Sequence, residues 1–301
     1  MPTRLLALLF LACLTIPALA QTQAASAGTT SKAAVIAAKI DLVEGDVRIL
    51  DKLQKSRKAA VGDLIYEGDS VVTGADGELH MTMQDEGFIA VRRNTKMSIA
   101  EFRAEGDEQD KGIFRLFVGS MRSITGWIGK FQPRSYAIRT PTATIGIRGT
   151  DHEPMVIAPG STEGEAGTYD KVNIGASYIE TPQGRIDVSE KRAAFAPHSG
   201  KRGMRRPRLL ESVPGFYRVG RNEHLIEKKH EFIQGIMKDR REQRRQKIRE
   251  RLKERGDRGG ENAQTRKAGR EERKNRRQKM REERQQNKEE SHARKKRRES
   301  E

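Results

Sequence analysis

Cysteine is almost missing from this chain. Cys13 is the only one among 301 residues, and it lies inside an N-terminal apolar run expected to be removed. Disulfides, thiol catalysis and thiolate-bound metals are then excluded from the mature protein. Aromatic residues make up only 5% of the sequence, and beyond Phe232 the basic C-terminal region has none interleaved among its cations. It therefore lacks the stacking surfaces that single-stranded nucleic acid binding uses. Beyond the first twenty residues no segment approaches the roughly 18 consecutive apolar residues of a transmembrane helix. The six histidines, His80, His152, His198, His224, His230 and His292, show no metal-ligand spacing. There is no G-x-S-x-G elbow, and no carboxylate pair stands out as a general acid and base. No catalytic residue, cofactor, metal or small-molecule substrate is expected.

What is present begins with an export signal. "MPTRLLALLFLACLTIPALA" carries one early cation, Arg4, an apolar run from Leu5 to Ile16, and a small-x-small site at Ala18 and Ala20 before polar Gln21. That pattern is a secretory signal peptide over residues 1–20, with cleavage after Ala20. The setting of Cys13 is a weaker match to a lipoprotein box, because the apolar run continues past it to a cleaner site. The mature protein is expected in the periplasm or otherwise exported, beginning with a small, polar, flexible leader over residues 21–34.

Charge is divided sharply. Residues 1–200 hold 23 Lys/Arg and 24 Asp/Glu, a net of −1, whereas residues 201–301 hold 36 and 18, a net of +18. Any affinity for polyanions belongs to the last hundred residues. From Val35 to Pro197 short runs rich in Val, Ile, Phe and Thr alternate with Gly/Asp turns at 44–46, 67–69, 75–77 and 85–87. These are strands joined by tight turns. "GIFRLFVGSMRSIT" and "YAIRTPTATIGIRGT" read as two more strand pairs, and "KVNIGASYIETPQGRIDVSEKRAAFAP" as another hairpin group. The expectation is an all-β domain over 35–200, stacked hairpins forming a β-sandwich or a β-solenoid-like body, with Trp127 and the phenylalanines in its core.

"TPTATIGIRGTDHEPMV", residues 140–156, packs Gly, Arg, Thr and Asp as phosphate loops do, but no Walker or dinucleotide spacing fits it. As a strand it reads better. Ile145 and Ile147 alternate with Thr144, Gly146 and Arg148, and the glycines mark a close backbone approach or a bulge. Arg148 and Asp151 are then expected to tie neighbouring turns by hydrogen bonds. "DHE" at 151–153 carries only a weak indication of a cation site.

The same segment resembles the FecR domain, whose most recognisable run is Thr-Pro-x-Ala-x-(Val/Ile)-x-(Val/Ile)-Arg-Gly-Thr. Here it is carried by Thr140, Pro141, Ala143, Ile145, Ile147, Arg148, Gly149 and Thr150. "VGDLIYEGDSVVTGADGELHMTMQDEGFIAVRRNTKMSI" and "IFRLFVGSMRS" are similar to earlier family segments in the same order, so the resemblance covers roughly residues 35–197. It implies a periplasmic, non-enzymatic β domain. In the transmembrane regulators of that family the domain hears a TonB-dependent receptor and controls a sigma factor. This chain has a cleavable signal where those regulators carry a cytosolic segment and a membrane span, so only the domain and the compartment carry over.

Residues 201–222 read as a Gly/Pro/basic linker with an apolar knot at Leu209, Leu210, Val213, Phe216 and Tyr217 that can fold back on the sheet. Over 223–301 follows a highly charged tail. Leu225, Phe232/Ile233, Ile236/Met237, Ile248 and Leu252 recur near helical spacing among Glu, Lys and Arg. A helix is expected to about Arg255, stopped by Gly256 and Gly259–Gly260, with a lone charged helix or a disordered segment beyond. The leading functional expectation is an exported binding or scaffolding module whose partner is an envelope protein or a cell-wall component. The alternative is a polyanion-binding envelope protein whose basic tail meets anionic lipid head groups, cell-wall polymers or nucleic acid.

Overall fold

The computed structural model describes residues 34–198, 206–217 and 220–298, the last stretch by backbone alone at 254–266 and 285–298. The expected signal peptide with Ala18, Ala20 and Cys13, and the leader up to residue 33, lie outside the described residues. In chain order the strands are β1 (Ile36–Glu44), β2 (Val47–Leu50), β3 (Ser56–Lys58), β4 (Leu64–Tyr66), β5 (Ser70–Thr73), β6 (Glu78–Met83), β7 (Phe88–Val91), β8 (Lys96–Arg103) and β9 (Lys111–Ile124). A one-turn helix α1 (Trp127–Phe131) follows. Then come β10 (Tyr136–Arg139), β11 (Thr144–Ile147), β12 (Asp151–Ile157), β13 (Gly167–Ile174), β14 (Ala176–Thr181), β15 (Gly184–Ser189), β16 (Ala193–Pro197), β17 (Arg208–Leu209) and the long helix α2 (Glu223–Arg298).

The strands form two sheets that share β9. Sheet A runs β4-β1-β6-β7-β9-β12-β13-β16-β17. Sheet B runs β3-β2-β5-β8-β9-β10-β11-β14-β15, antiparallel throughout except where β10 lies parallel to β9. Of the two architectures left open by the sequence, this is the sandwich. Alternation sends Ile49, Leu79, Met97, Phe114, Ile145 and Ile179 into one core between the sheets, all essentially without solvent contact.

The segment "GIFRLFVGSMRSIT" is not a strand pair. It is the single 14-residue strand β9. Its first half pairs with β8 and β10, its second with β7 and β12, and the crossover falls at Gly119. Gly119 has φ +85°, and a Cβ there would lie 2.3 Å from Thr95 Oγ1. A glycine inside an apolar alternation was the signal for this bend.

Sheet A carries packing on both faces, with an open cleft of about 970 Å³ left on the outer one beside Arg92, Ser120, Met155 and Tyr217. Sheet B lies on one side, and the C-terminal segment lies on the other. β17 pairs with β16, and Leu210, Phe216 and Tyr217 pack against Met155, Ile157, Tyr169 and Phe195. Further along, Ile226, Ile233 and Met237 of α2 cover Phe88, Ala90 and Ile124. The apolar knot and the first turns of α2 therefore belong to the packed body.

Two expectations need correction. The helix does not stop at Gly256 or Gly259–Gly260 but runs unbroken for 76 residues, about 110 Å at 1.5 Å per residue. Glycine costs about 1 kcal/mol against alanine in a helix, and the Arg, Glu, Lys and Gln residues around these positions carry the helix through. Nor are all aromatics in the core. Phe117 is 41% exposed, and Trp127 is half-buried at the seam between body and helix.

Candidate functional site

Beside these apolar contacts, the outward face of sheet A carries a polar cluster under the start of α2. Arg122 on β9 directs Nε to Asp151 Oδ1 at 2.8 Å and Nη2 to Asp151 Oδ2 at 2.6 Å. Its Nη1 donates to Glu223, the first residue of α2. Glu223 also accepts from Arg92 Nη2 at 2.8 Å, and Arg92 reaches Glu78 at 3.3 Å. From two turns further along the helix, His230 Nδ1 meets Asp151 Oδ2 at 2.7 Å. Asn173 donates to Asp151 at 3.2 Å and to Glu153 at 2.9 Å, and Lys171 pairs with Glu153 at 3.0 Å.

Burial alone would push the Asp151 carboxyl up. The bonds from Arg122 and His230 outweigh it and hold the group well below the usual carboxylate range. The space beside Asp151 and His230 is about 20 Å³, room for one water molecule. This is a clasp that holds a helix, not a substrate pocket.

The clasp follows a regular line along α2. Residues 223, 226, 230, 233, 237, 240 and 244 succeed one another at steps of three and four, which puts them on one face of the helix. Beyond the clasp and the apolar contacts, Arg240 pairs with Glu86 at 2.6 and 2.8 Å and lies 4.3 Å from the centre of the Trp127 ring. The Trp127 indole donates to Asp110 at 2.9 Å, and Arg244 lies 4.8 Å over Phe131. Residues 245–253 and 267–284 are exposed apart from Gly269.

Most of the family-like segment is built into the body of the sandwich. Ala143, Ile145 and Ile147 enter the core. Thr140 Oγ1 meets Thr168 Oγ1 at 2.6 Å and receives the Ala143 amide at 3.0 Å, and Thr150 Oγ1 donates to the Ala176 carbonyl at 2.5 Å. A Cβ on Gly146 would sit 2.0 Å from Tyr178 Cζ, so the close approach comes from a ring rather than from backbone. Gly149 has φ +67° in the turn between β11 and β12, which favours glycine. Pro141 is exposed.

Arg148 does not do what the sequence suggested. Its side chain is 58% exposed and comes only within 3.8 Å of Asp187, while Asp151 bonds to Arg122 and His230 instead. On the inward side of β12, His152 Nδ1 meets Asp170 at 2.8 Å, and Asp170 receives the Ser177 hydroxyl at 2.5 Å. The carboxylate stands between the other two groups, so the serine hydroxyl has no contact with the imidazole that would activate it. Three of the histidines thus face carboxylates, but no group of three or more metal-ligating side chains occurs among the described residues.

The outward face of sheet B has no covering element among the described residues. It presents Phe117 with Lys96 Nζ 5.6 Å over its ring, and half-buried Tyr178 with the Arg185 guanidinium 3.5 Å over its ring. Arg115, Arg139 and Arg148 are exposed beside them.

Arg122, Glu223 and His230 were not found from sequence. They are separated from their partners by 29, 101 and 79 positions, and no spacing rule spans such gaps. A search of α2 for polar as well as apolar members of the three-four line would have singled out 223, 230, 240 and 244.

Residues 69–168 match the family described as FecR protein. The chain also resembles a putative anti-sigma factor from Parabacteroides distasonis ATCC 8503, seen in two crystal structures. Each is 10% identical, with a TM-score of 0.38, covering 48% of this chain and 60% of that one. The chain thus spans 60% of the length of that protein. A structure described as a cell surface anchoring domain is 21% identical, with a TM-score of 0.20, covering 20% of this chain and 80% of that one. No curated protein matches.

Proposed function

We propose that this chain, whose residues 69–168 are a FecR domain, is an exported, non-enzymatic module that acts by protein–protein contact in the cell envelope. Its sandwich holds the partner and also clamps the base of a long charged helix. The FecR match supports a signalling or regulatory role of that kind. The reading of export rests on the N-terminal run ending at Ala18-Leu19-Ala20.

The observation that carries the proposal is the asymmetry of the two outer faces. Sheet A spends its outer face on α2 and the Phe216–Tyr217 cap. Among the described residues nothing covers the outer face of sheet B, which carries an exposed phenylalanine and a half-buried tyrosine set among arginines. Aromatic and arginine side chains are the residues that dominate protein interfaces. Their sign favours an acidic surface on a protein partner.

The test is capture of a partner from envelope extracts by the full chain and by Phe117→Asp. Phe117 contributes nothing to the buried core, so the variant should fold with an unchanged melting temperature and lose most of the captured partner. Unchanged capture by a folded Phe117→Asp protein would move recognition away from sheet B.

A further inference from the structure

Past the clasp, α2 carries its charges in an ordered way. Lys267, Arg270, Lys274, Arg277, Arg281 and Arg284 follow one another at alternating steps of three and four residues, all of them exposed. On a helix that spacing places the six on one line. The four glutamates of the same stretch, Glu271, Glu272, Glu282 and Glu283, fall off that line. At 1.5 Å per residue the line presents six cations in about 25 Å, roughly one every 5 Å.

We propose that this line binds a single chain of an acidic polysaccharide carrying one carboxylate per sugar ring. The repeat of the cations is comparable to the length of one pyranose ring with its glycosidic oxygen, so successive carboxylates meet successive cations. Four of the six are arginines, whose planar fork grips a carboxylate through two parallel hydrogen bonds.

The geometry fits the other polyanions less well. Duplex nucleic acid offers a charge per about 1.7 Å of axis, about three times too dense for a single file. The off-line glutamates would also face any ligand that surrounded the helix. A bilayer-bound helix needs an apolar face opposite its charges. Between 267 and 284 the only apolar side chains are Ala268 and Met280. A line with a 3.5-residue repeat also winds about a straight helix by about 20° per heptad, a turn that a flexible polymer follows and a flat membrane does not.

The inference draws on the exported location proposed above, since such polymers are met outside the cytoplasm, but not on the partner of sheet B. It is tested with the full chain and an oligogalacturonate long enough to span the line, by titration calorimetry at low salt. The triple variant Arg270→Gln, Arg277→Gln, Arg284→Gln should bind about tenfold more weakly, the scale of three exposed charge contacts. The charge-matched triple Arg251→Gln, Arg276→Gln, Lys279→Gln, drawn from the opposite face, should change affinity by about threefold or less on the same scale. Both should keep the helical circular dichroism of the parent. Equal weakening by the two triples, or no binding of the oligogalacturonate by the unaltered chain, would overturn the proposal. So would tighter, line-dependent binding of phosphatidylglycerol vesicles or a DNA duplex. None of these results bears on partner capture by Phe117→Asp, so the two readings fail separately.

Discussion

Arg122 forks onto Asp151 at 2.8 and 2.6 Å, and with its third nitrogen it holds Glu223 at the first turn of α2. A single guanidinium thus joins the middle of the sheet to the start of the long helix, in a site where both charges are almost fully buried. Removing one member of such a set leaves the others charged, desolvated and unpaired.

Arg122→Met should therefore destabilise the protein by about 3–5 kcal/mol in urea denaturation. Replacing both members, Arg122→Met with Asp151→Leu, should cost less than the single change, because no carboxylate is then stranded on β12. The single tryptophan, Trp127, lies under Arg240 of the same helix. Its emission should shift toward that of a solvated indole in Arg122→Met at denaturant concentrations where the strands are still folded. A double variant as unstable as the single would show that the fork contributes little beyond packing.

Gly146 lies against the Tyr178 ring, and the Arg185 guanidinium sits 3.5 Å over the same ring. Gly146→Val should cost about 1–3 kcal/mol, the range of overpacking. Combining it with Tyr178→Ala should recover part of that loss, which a double-mutant cycle reads directly. Arg148→Ala, by contrast, should stay within about 0.5 kcal/mol of the parent, as exposed substitutions do. A large effect of Arg148→Ala would mean that the turn is held by contacts other than those of Thr150.

Asp85 provides a pH signature. Burial pushes its carboxyl up to about 6, against the pull of the Gly87 and Ile128 amides. Its value in the unfolded chain is about 3.9. The folded state therefore holds the proton more tightly, and the contribution of this group to stability falls as pH rises from about 4 to about 6. Asp85→Asn removes the charge. It should be more stable than the parent at pH 7.5 by about 2–3 kcal/mol, an advantage that disappears near pH 4. Asp151 works in the opposite sense. Its folded value is depressed, so its contribution is present above the unfolded value of about 3.9 and is lost as pH falls below it. Stability profiles of the parent and Asp85→Asn that run parallel from pH 4 to 7.5 would contradict the assignment to Asp85.

The sandwich was legible because its strands alternate and its turns are written in Gly and Asp. Ile145 and Ile147 were legible as core residues for the same reason: isoleucines at every second position of a strand face one side. What could not be read was the use of the outer faces. The seam under α2 is built from Arg122, Asp151, Glu223 and His230, polar residues whose partners are remote in sequence and which look solvated in isolation. Phe117 misled in the other direction, since alternation along β9 puts it outside while its type suggests inside. The glycines at 256, 259 and 260 suggested a stop, but each glycine weakens a helix without by itself ending it.

On this reading the sandwich, with the base of α2 docked, recognises a partner, and the rest of the helix is secondary. A chain ended near residue 200 cannot test this, because it would bare Phe88, Ile124, Tyr169 and Phe195 and leave Asp151 without His230. The direct measurement is crosslinked capture from envelope extracts by the full chain and by a chain ended after Leu252, at low and high salt. Recognition by the body predicts the same partner with both chains and only a mild response to salt. Charge contacts of an exposed rod, in contrast, are screened within about 8 Å at physiological ionic strength. If the shortened chain captures nothing while residues 245–301 alone capture as well as the whole protein, and salt abolishes it, recognition belongs to the helix and not to the sandwich.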